Sequence, residues 1–211
     1  MDEQQTISRK ERRWQQSGKM PRPGGDKPVR KKKPWWRELL EWLAVVAAAV
    51  VLASLINEYV FQIIPVLGTS MEPTLYSGDR MVVTKFTYKT RMPERGEIVI
   101  TKYPGSTDYF VKRVIGLPGE KIGIHDGAVY INDIRLEENY IMEEIKYSYS
   151  DVIVPDGCIF VMGDNRNYSS DSHVSTVGPL PLTNLVGKPQ LIIYPFDKIG
   201  SMAESGYNGR N

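Results

Sequence analysis

Cysteine is nearly missing from this chain of 211 residues. Cys158 is the single copy, so no intrachain disulfide can form and a disulfide-stapled fold is excluded. A lone cysteine of this kind reads as a small buried hydrophobe. Histidine is almost as scarce, with His125 and His173 alone. Two histidines and one cysteine are too few for a structural zinc site, and no metal or other cofactor is expected. Long apolar runs are absent everywhere but one place, and no internal repeat is visible. Beyond residue 67 there is no sustained helical period either, although 137–145 is ambiguous.

The small net charge of +2 hides an asymmetry. Residues 1–38 carry twelve Lys/Arg against five Asp/Glu, and the remainder carries fifteen against twenty. With 41% hydrophobic residues, the chain can bury one moderate domain and a small appendage. Residues 1–34 are rich in Lys, Arg, Gln, Gly and Pro and almost lack aliphatic side chains, which predicts a disordered basic tail. The block Arg30-Lys31-Lys32-Lys33 could bind nucleic acid in isolation. An apolar segment follows at once, however, so anionic lipid is the expected partner and nucleic acid is not.

That segment, 35–64, has an uncharged centre from Trp42 to Ile56 that is dense in Ala, Val and Leu. With its apolar flanks it reaches the ~20 residues that cross a bilayer as a helix. Glu41 and Glu58 fall near its ends, while Trp35, Trp36 and Tyr59 suit the headgroup belts. Pro65 disfavours helix at Ile64. A buried core helix would need a polar face that Ala44-Val45-Val46-Ala47 and its neighbours do not have. A cleaved signal peptide fits the short strictly apolar centre, but the long leader and the apolar extension favour an uncleaved signal anchor. The Lys/Arg excess before it predicts a single-pass protein with a cytoplasmic N-terminus and an extracytoplasmic C-terminal domain.

From 65 to 200 short β-type runs alternate with Gly, Pro and Asp. Strands are expected at 80–85, 97–102, 109–115, 121–125, 128–131, 152–154, 158–162 and 190–194. A mainly β, antiparallel exported domain follows, and 201–211 reads as a flexible C-terminus.

One serine stands out: Ser70, in Gly68-Thr69-Ser70-Met71-Glu72-Pro73, just past the apolar run. A serine hydroxyl becomes a nucleophile when a neighbouring base takes its proton. His125 lies beside Asp126-Gly127 in a hairpin turn, which is a surface position. His173 sits in Asp171-Ser172-His173, but contiguous residues rarely point at one another, so a Ser70–His173–Asp171 triad is disfavoured. The other solution is a lysine kept neutral by burial. Lys112 lies in Tyr109-Phe110-Val111-Lys112-Arg113-Val114-Ile115, a buried-strand pattern interrupted by two cations. Alternation places Lys112 on the face opposite Val111 and Arg113.

Around these residues the chain resembles the bacterial type I signal peptidases, membrane-bound Ser/Lys proteases, in the single-anchor Gram-positive-type pattern. The resemblance runs through Ser70-Met71-Glu72-Pro73-Thr74-Leu75, Gly78-Asp79-Arg80-Met81-Val82-Val83 and Lys112-Arg113-Val114-Ile115-Gly116-Leu117-Pro118-Gly119-Glu120. It continues through Val161-Met162-Gly163-Asp164-Asn165-Arg166-Asn167-Tyr168-Ser169-Ser170-Asp171-Ser172 and the ending Gly187-Lys188 to Tyr194-Pro195-Phe196. Four motifs in order are very specific. The resemblance implies a signal-peptidase-type β-fold, exported preproteins as substrates, Ser70 as nucleophile and Lys112 as its general base. It implies that Ser169 orients the lysine amine, that Asp164 pairs with Arg113 and that Asp171 supports the same loop. Where the family usually has Asp-Ser-Arg, this chain has Asp171-Ser172-His173, a pH-dependent partner for Asp171. Where some members place an oxyanion serine, this chain has Gly68, so the oxyanion falls to backbone N–H groups, that of Ser70 included. Two other readings share parts of the pattern: an inactive anchored relative that binds signal peptides, and a self-cleaving Ser/Lys repressor. The bilayer anchor and the absence of any DNA-reading domain argue against the second.

Overall fold

A computed structural model describes residues 34–201. The basic tail expected over 1–34 therefore lies, but for Pro34, outside the described residues, as does the C-terminus from 202 onward. Helix α1 spans Trp35–Tyr59. Pro34 precedes it and Glu38 sits in its first turn, where a carboxylate is favoured by the helix dipole. Its apolar stretch, Trp35–Ile56, is 22 residues long, about 33 Å at helical rise, and its side chains are exposed. The exposed centre of the helix, 42–56, carries no charge on any side, which calls for lipid.

The expectation of helix to residue 64 is corrected here. Phe61–Pro65 forms strand β1, which pairs antiparallel with β2, Arg80–Thr84, in the register Phe61↔Thr84 to Pro65↔Arg80. Ile63 and Ile64 are β-branched, and Ile64 is buried on the core face while Ile63 faces out. Tertiary pairing overrides the continuing apolar run.

After β2 come a one-turn helix α2, Thr87–Thr90, then β3, Ile98–Thr101, and β4, Phe110–Gly116. A meander follows: β5, Lys121–His125; β6, Ala128–Ile131; β7, Ile134–Arg135; β8, Tyr149–Ile153. The rest comprises β9, Cys158–Met162; β10, Leu180–Pro181; β11, Leu185–Tyr194; and β12, Gly200–Ser201. The larger sheet has the order β1-β2-β11-β3-β4-β9-β10, with β12 added to β11, and the smaller has the order β7-β6-β5-β8. All pairings are antiparallel. The fold is mainly β.

Two local choices explain much of this path. His125↔Ala128 closes a two-residue hairpin on Asp126 and Gly127, whose φ of 49° and 75° suit Asp and Gly. Gly187 lets β11 cross from β3 to β2, because a Cβ there would lie 2.3 Å from the Thr84 carbonyl oxygen. The segment 137–145 forms no regular element.

Strand β4 is buried along nearly its whole length and separates three apolar clusters. Val111 joins Met71, Leu75, Ile98 and Ile100. Val114 joins Val99, Tyr103, Val161 and Leu180. Ile115 joins Ile122, Phe160 and Met162, where the smaller sheet packs. The strand is thus a spine with apolar matter on both faces, and its two cations must be satisfied inside it.

Candidate active site

Lys112 sits in the middle of β4, opposite Val99 on β3. Val99 and Val114 belong to one apolar cluster, so the lysine stem rises from a hydrophobic face. The residue is 2% exposed. Its amine donates to Ser169 Oγ at 2.8 Å. Burial pushes the Lys112 amine below the ordinary lysine pKa, although the negative charges of Asp171 and Asp164 pull the other way. The net direction favours a neutral amine, the form that can accept a proton.

Arg113, the next residue, points to the other face. It makes a two-pronged pair with Asp164, Nε to Oδ1 at 2.8 Å and Nη2 to Oδ2 at 2.6 Å, with both side chains fully buried. Its Nη1 reaches the Gly96 carbonyl at 2.8 Å, and its guanidinium lies 4.1 Å over the Tyr140 ring. A buried charge survives only when so paired, and removing one partner costs about 3–5 kcal/mol.

Ser70 comes from the loop between β1 and β2. That loop is pinched at its base by Val66 N–H to the Asp79 carbonyl and Gly78 N–H to the Val66 carbonyl. Met71 and Leu75, each 1% exposed, anchor it in the core. Ser70 itself is half-buried. Gly68 has φ +82°, and a Cβ there would meet nothing within 4 Å. Its glycine is needed for backbone conformation and leaves open space beside the serine.

The segment after β9 gathers these parts. Asn165 N–H donates to the Ser70 carbonyl at 3.0 Å and Asn165 Nδ2 to the Thr69 carbonyl at 3.1 Å. Thr74 Oγ1 donates to Asp164 Oδ2 at 2.5 Å. Gly163 lies where a Cβ would come within 2.3 Å of both Ser169 Oγ and the Ser70 carbonyl oxygen. The lysine's partner and the serine's backbone therefore meet across one glycine. Asp171, fully buried, accepts from Gly163 N–H at 2.8 Å and pairs with His173 Nδ1. Tyr103 Oη donates to the Ser170 carbonyl at 2.8 Å. His125 stacks on Tyr130 in its exposed hairpin, apart from this cluster. Among the described residues no group of three or more His, Cys, Asp or Glu gathers to hold a metal.

Reading the sequence missed the supports. Arg166 and Glu138 form a buried ion pair beside Tyr140, which also faces Arg113. Glu138 and Tyr140 lie in the irregular stretch 137–145, which carries no periodic signal. Thr74, Gly163 and Asn165 lie inside the motifs, but only the fold shows what they touch.

The family described as signal peptidase, peptidase S26, matches residues 39–194. The probable signal peptidase I-2 of Synechocystis sp. is 38% identical over 181 residues, 83% of this chain and 82% of that protein. The signal peptidase I of Bacillus licheniformis is 37% identical over 171 residues, 76% and 91% respectively. A crystal structure of a signal peptidase I from Enterococcus faecalis V583 aligns with 46% of this chain and 97% of its own, at 29% identity and TM-score 0.38. The family match and these two relatives define the class: the protein is a serine peptidase, a hydrolase. The chain belongs to the signal peptidase family, peptidase S26.

Proposed function

We propose that the protein removes signal peptides from exported preproteins, with Ser70 as nucleophile and Lys112 as general base. The observation that carries the reading is the buried Lys112 amine, held by Ser169 across Gly163 from the backbone of Ser70. A neutral amine takes the Ser70 proton as its oxygen attacks the scissile carbonyl, giving an acyl-enzyme. The same amine then activates the water that releases the acyl group. Backbone N–H groups, that of Ser70 included, receive the oxyanion, and Gly68 leaves room for the substrate backbone.

The substrate lies extended against a strand edge and is held by main-chain hydrogen bonds that serve any sequence. Shallow pockets select small side chains, matching Ala-x-Ala-like sites. Anchoring enzyme and preprotein in one bilayer raises their effective concentration. The Lys/Arg-rich segment before α1 keeps the N-terminus cytoplasmic, which places residues 65–200 outside.

The test is the purified full chain in detergent with a fluorescent preprotein peptide. Ser70→Ala and Lys112→Ala should each lower kcat/KM by at least about 10³-fold. Near-wild-type cleavage by either variant sinks the assignment. Tight peptide binding without cleavage by the unaltered chain would instead favour an inactive signal-peptide-binding relative.

A further inference from the structure

Two carboxylates act on the Lys112 amine, Asp164 and Asp171. Their own partners differ in kind. Asp164 is matched by Arg113, which is charged at every working pH. Asp171 is matched by His173, whose ring, unlike a guanidinium, can be either neutral or cationic. That histidine does not hang free. Its ring stacks on Tyr147 at 4.3 Å and 17° between planes. It is 15% exposed, and its Nδ1 sits between Asp171 Oδ1 and Tyr147 Oη, the latter at 3.4 Å. Asp171 spends its other oxygen on Gly163 N–H, the residue wedged between Ser169 Oγ and the Ser70 carbonyl. A line of contact therefore runs from Tyr147 to the lysine's partner.

We propose that His173 and Tyr147 form a clamp on Asp171 that positions the Ser169 loop and sets the pH at which Lys112 becomes a base. His173 and Tyr147 are positioning residues, and the proposal rests on Ser70 and Lys112 being the reacting pair. The charged and titratable groups around the clamp are few. Asp171 and Tyr147 face His173. Tyr147 feels Asp171, Arg166 and Glu138, and burial pushes its phenol up so that it stays neutral. Arg166 is spoken for by Glu138. Among the described residues His173 is then the one titratable countercharge on either carboxylate that bears on Lys112. When His173 is neutral, the full charge of Asp171 stabilises the ammonium. When it is a cation, that charge is offset, and the amine gives up its proton more readily.

The experiment measures kcat/KM against pH for the full-length enzyme in detergent, with the same peptide, for wild type, H173R, Y147F and Y147A. In H173R a permanent cation faces Asp171. The acid limb should move to lower pH, and activity at a fixed pH on that limb should rise several-fold. Y147F keeps the ring stack and should follow the wild-type profile. Y147A loses it, and kcat should fall about tenfold with KM nearly unchanged, since substrate contacts are intact and only alignment is lost. Thermal melts of each variant report folding. Should H173R fail to fold, the contrast between Y147F and Y147A still decides.

An unmoved limb in H173R, in an enzyme that Lys112→Ala inactivates, overturns the clamp and leaves the Ser/Lys reading standing. Wild-type kcat and profile in Y147A likewise overturns it. Cleavage that survives Lys112→Ala overturns the Ser/Lys reading first.

Discussion

Lys112 and Arg113 are neighbours with the same formal charge and opposite fates. Lys112 meets one neutral hydroxyl in an apolar wall, whereas Arg113 meets a carboxylate with two matched hydrogen bonds. The planar guanidinium suits that fork, and the lysine point charge can be stripped of its proton. A stability consequence follows. The folded-state pKa of Lys112 lies below its unfolded value, so between the two the unfolded chain binds the extra proton. Wild-type stability therefore rises with pH across the window from that lowered pKa up to about 10.4. Lys112→Met should melt at a higher temperature than wild type at acidic and neutral pH, and the gap should close as pH approaches 10; calorimetry over that range checks it. Gly163 offers a steric test. The Cβ of Gly163→Ala meets the Ser70 carbonyl, a backbone atom that cannot swing aside. We expect kcat/KM to fall about 10²-fold with a loss of about 1–3 kcal/mol in stability, read by peptide cleavage and denaturant unfolding.

At the level of elements, β4 is the organiser: it borders β3 and β9 and carries both cations into the interior. Another buried carboxylate, Glu97, ties three other pieces together just before β3. It takes Arg91 beyond α2 at 2.5 Å, Lys188 on β11 at 2.7 Å and the Glu94 N–H at 3.2 Å. Burial alone would raise its pKa, but the bonds from Arg91, Lys188 and Glu94 outweigh that and hold it below the usual carboxylate value. A carboxyl with a depressed folded pKa contributes stability that is present above its unfolded pKa. That contribution is lost as pH falls through the folded value. Glu97→Gln should lower stability at pH 7 by about 1.5–3 kcal/mol and flatten the acid loss below about pH 4.3. Urea unfolding at pH 7 and pH 3 measures both, and an unchanged difference between the two pH values would refute the assignment to Glu97.

On the scale of the whole molecule, one exposed apolar helix precedes a β-rich enzyme. Exposure of Val45, Val50 and Leu52 to water would cost about 25 cal/mol for each Å² of apolar surface, so the helix belongs in lipid. The protein should stay with membranes through an alkaline wash. In sealed right-side-out vesicles, added protease should reach residues 65–200 and spare an epitope placed at the N-terminus. The reverse pattern of protection refutes the proposed orientation.

The apolar helix and the β-class of the domain were both legible in the sequence. Each is written in local chemistry: a run without charges, and alternation punctuated by Gly and Asp. Six of the eight expected strands fall within a residue or two of those observed, since β-branched alternation marks them, whereas the two-residue strands β7, β10 and β12 are too short to carry such a signal. Strand β1 was hidden because Phe61–Pro65 is apolar and continues the helix, and only pairing with Arg80–Thr84 makes it a strand. Likewise β11 begins at Leu185, because its first half finds β3 and its second half β2. The tertiary structure alone decided what holds the site. Glu138, Tyr140 and Arg166 come together from an irregular stretch and a distant loop, and Tyr147 meets His173 across 26 positions. Such contacts follow from which surfaces the packed sheets bring face to face. A linear pattern carries periodicity, and it carries no record of distance between residues far apart along the chain.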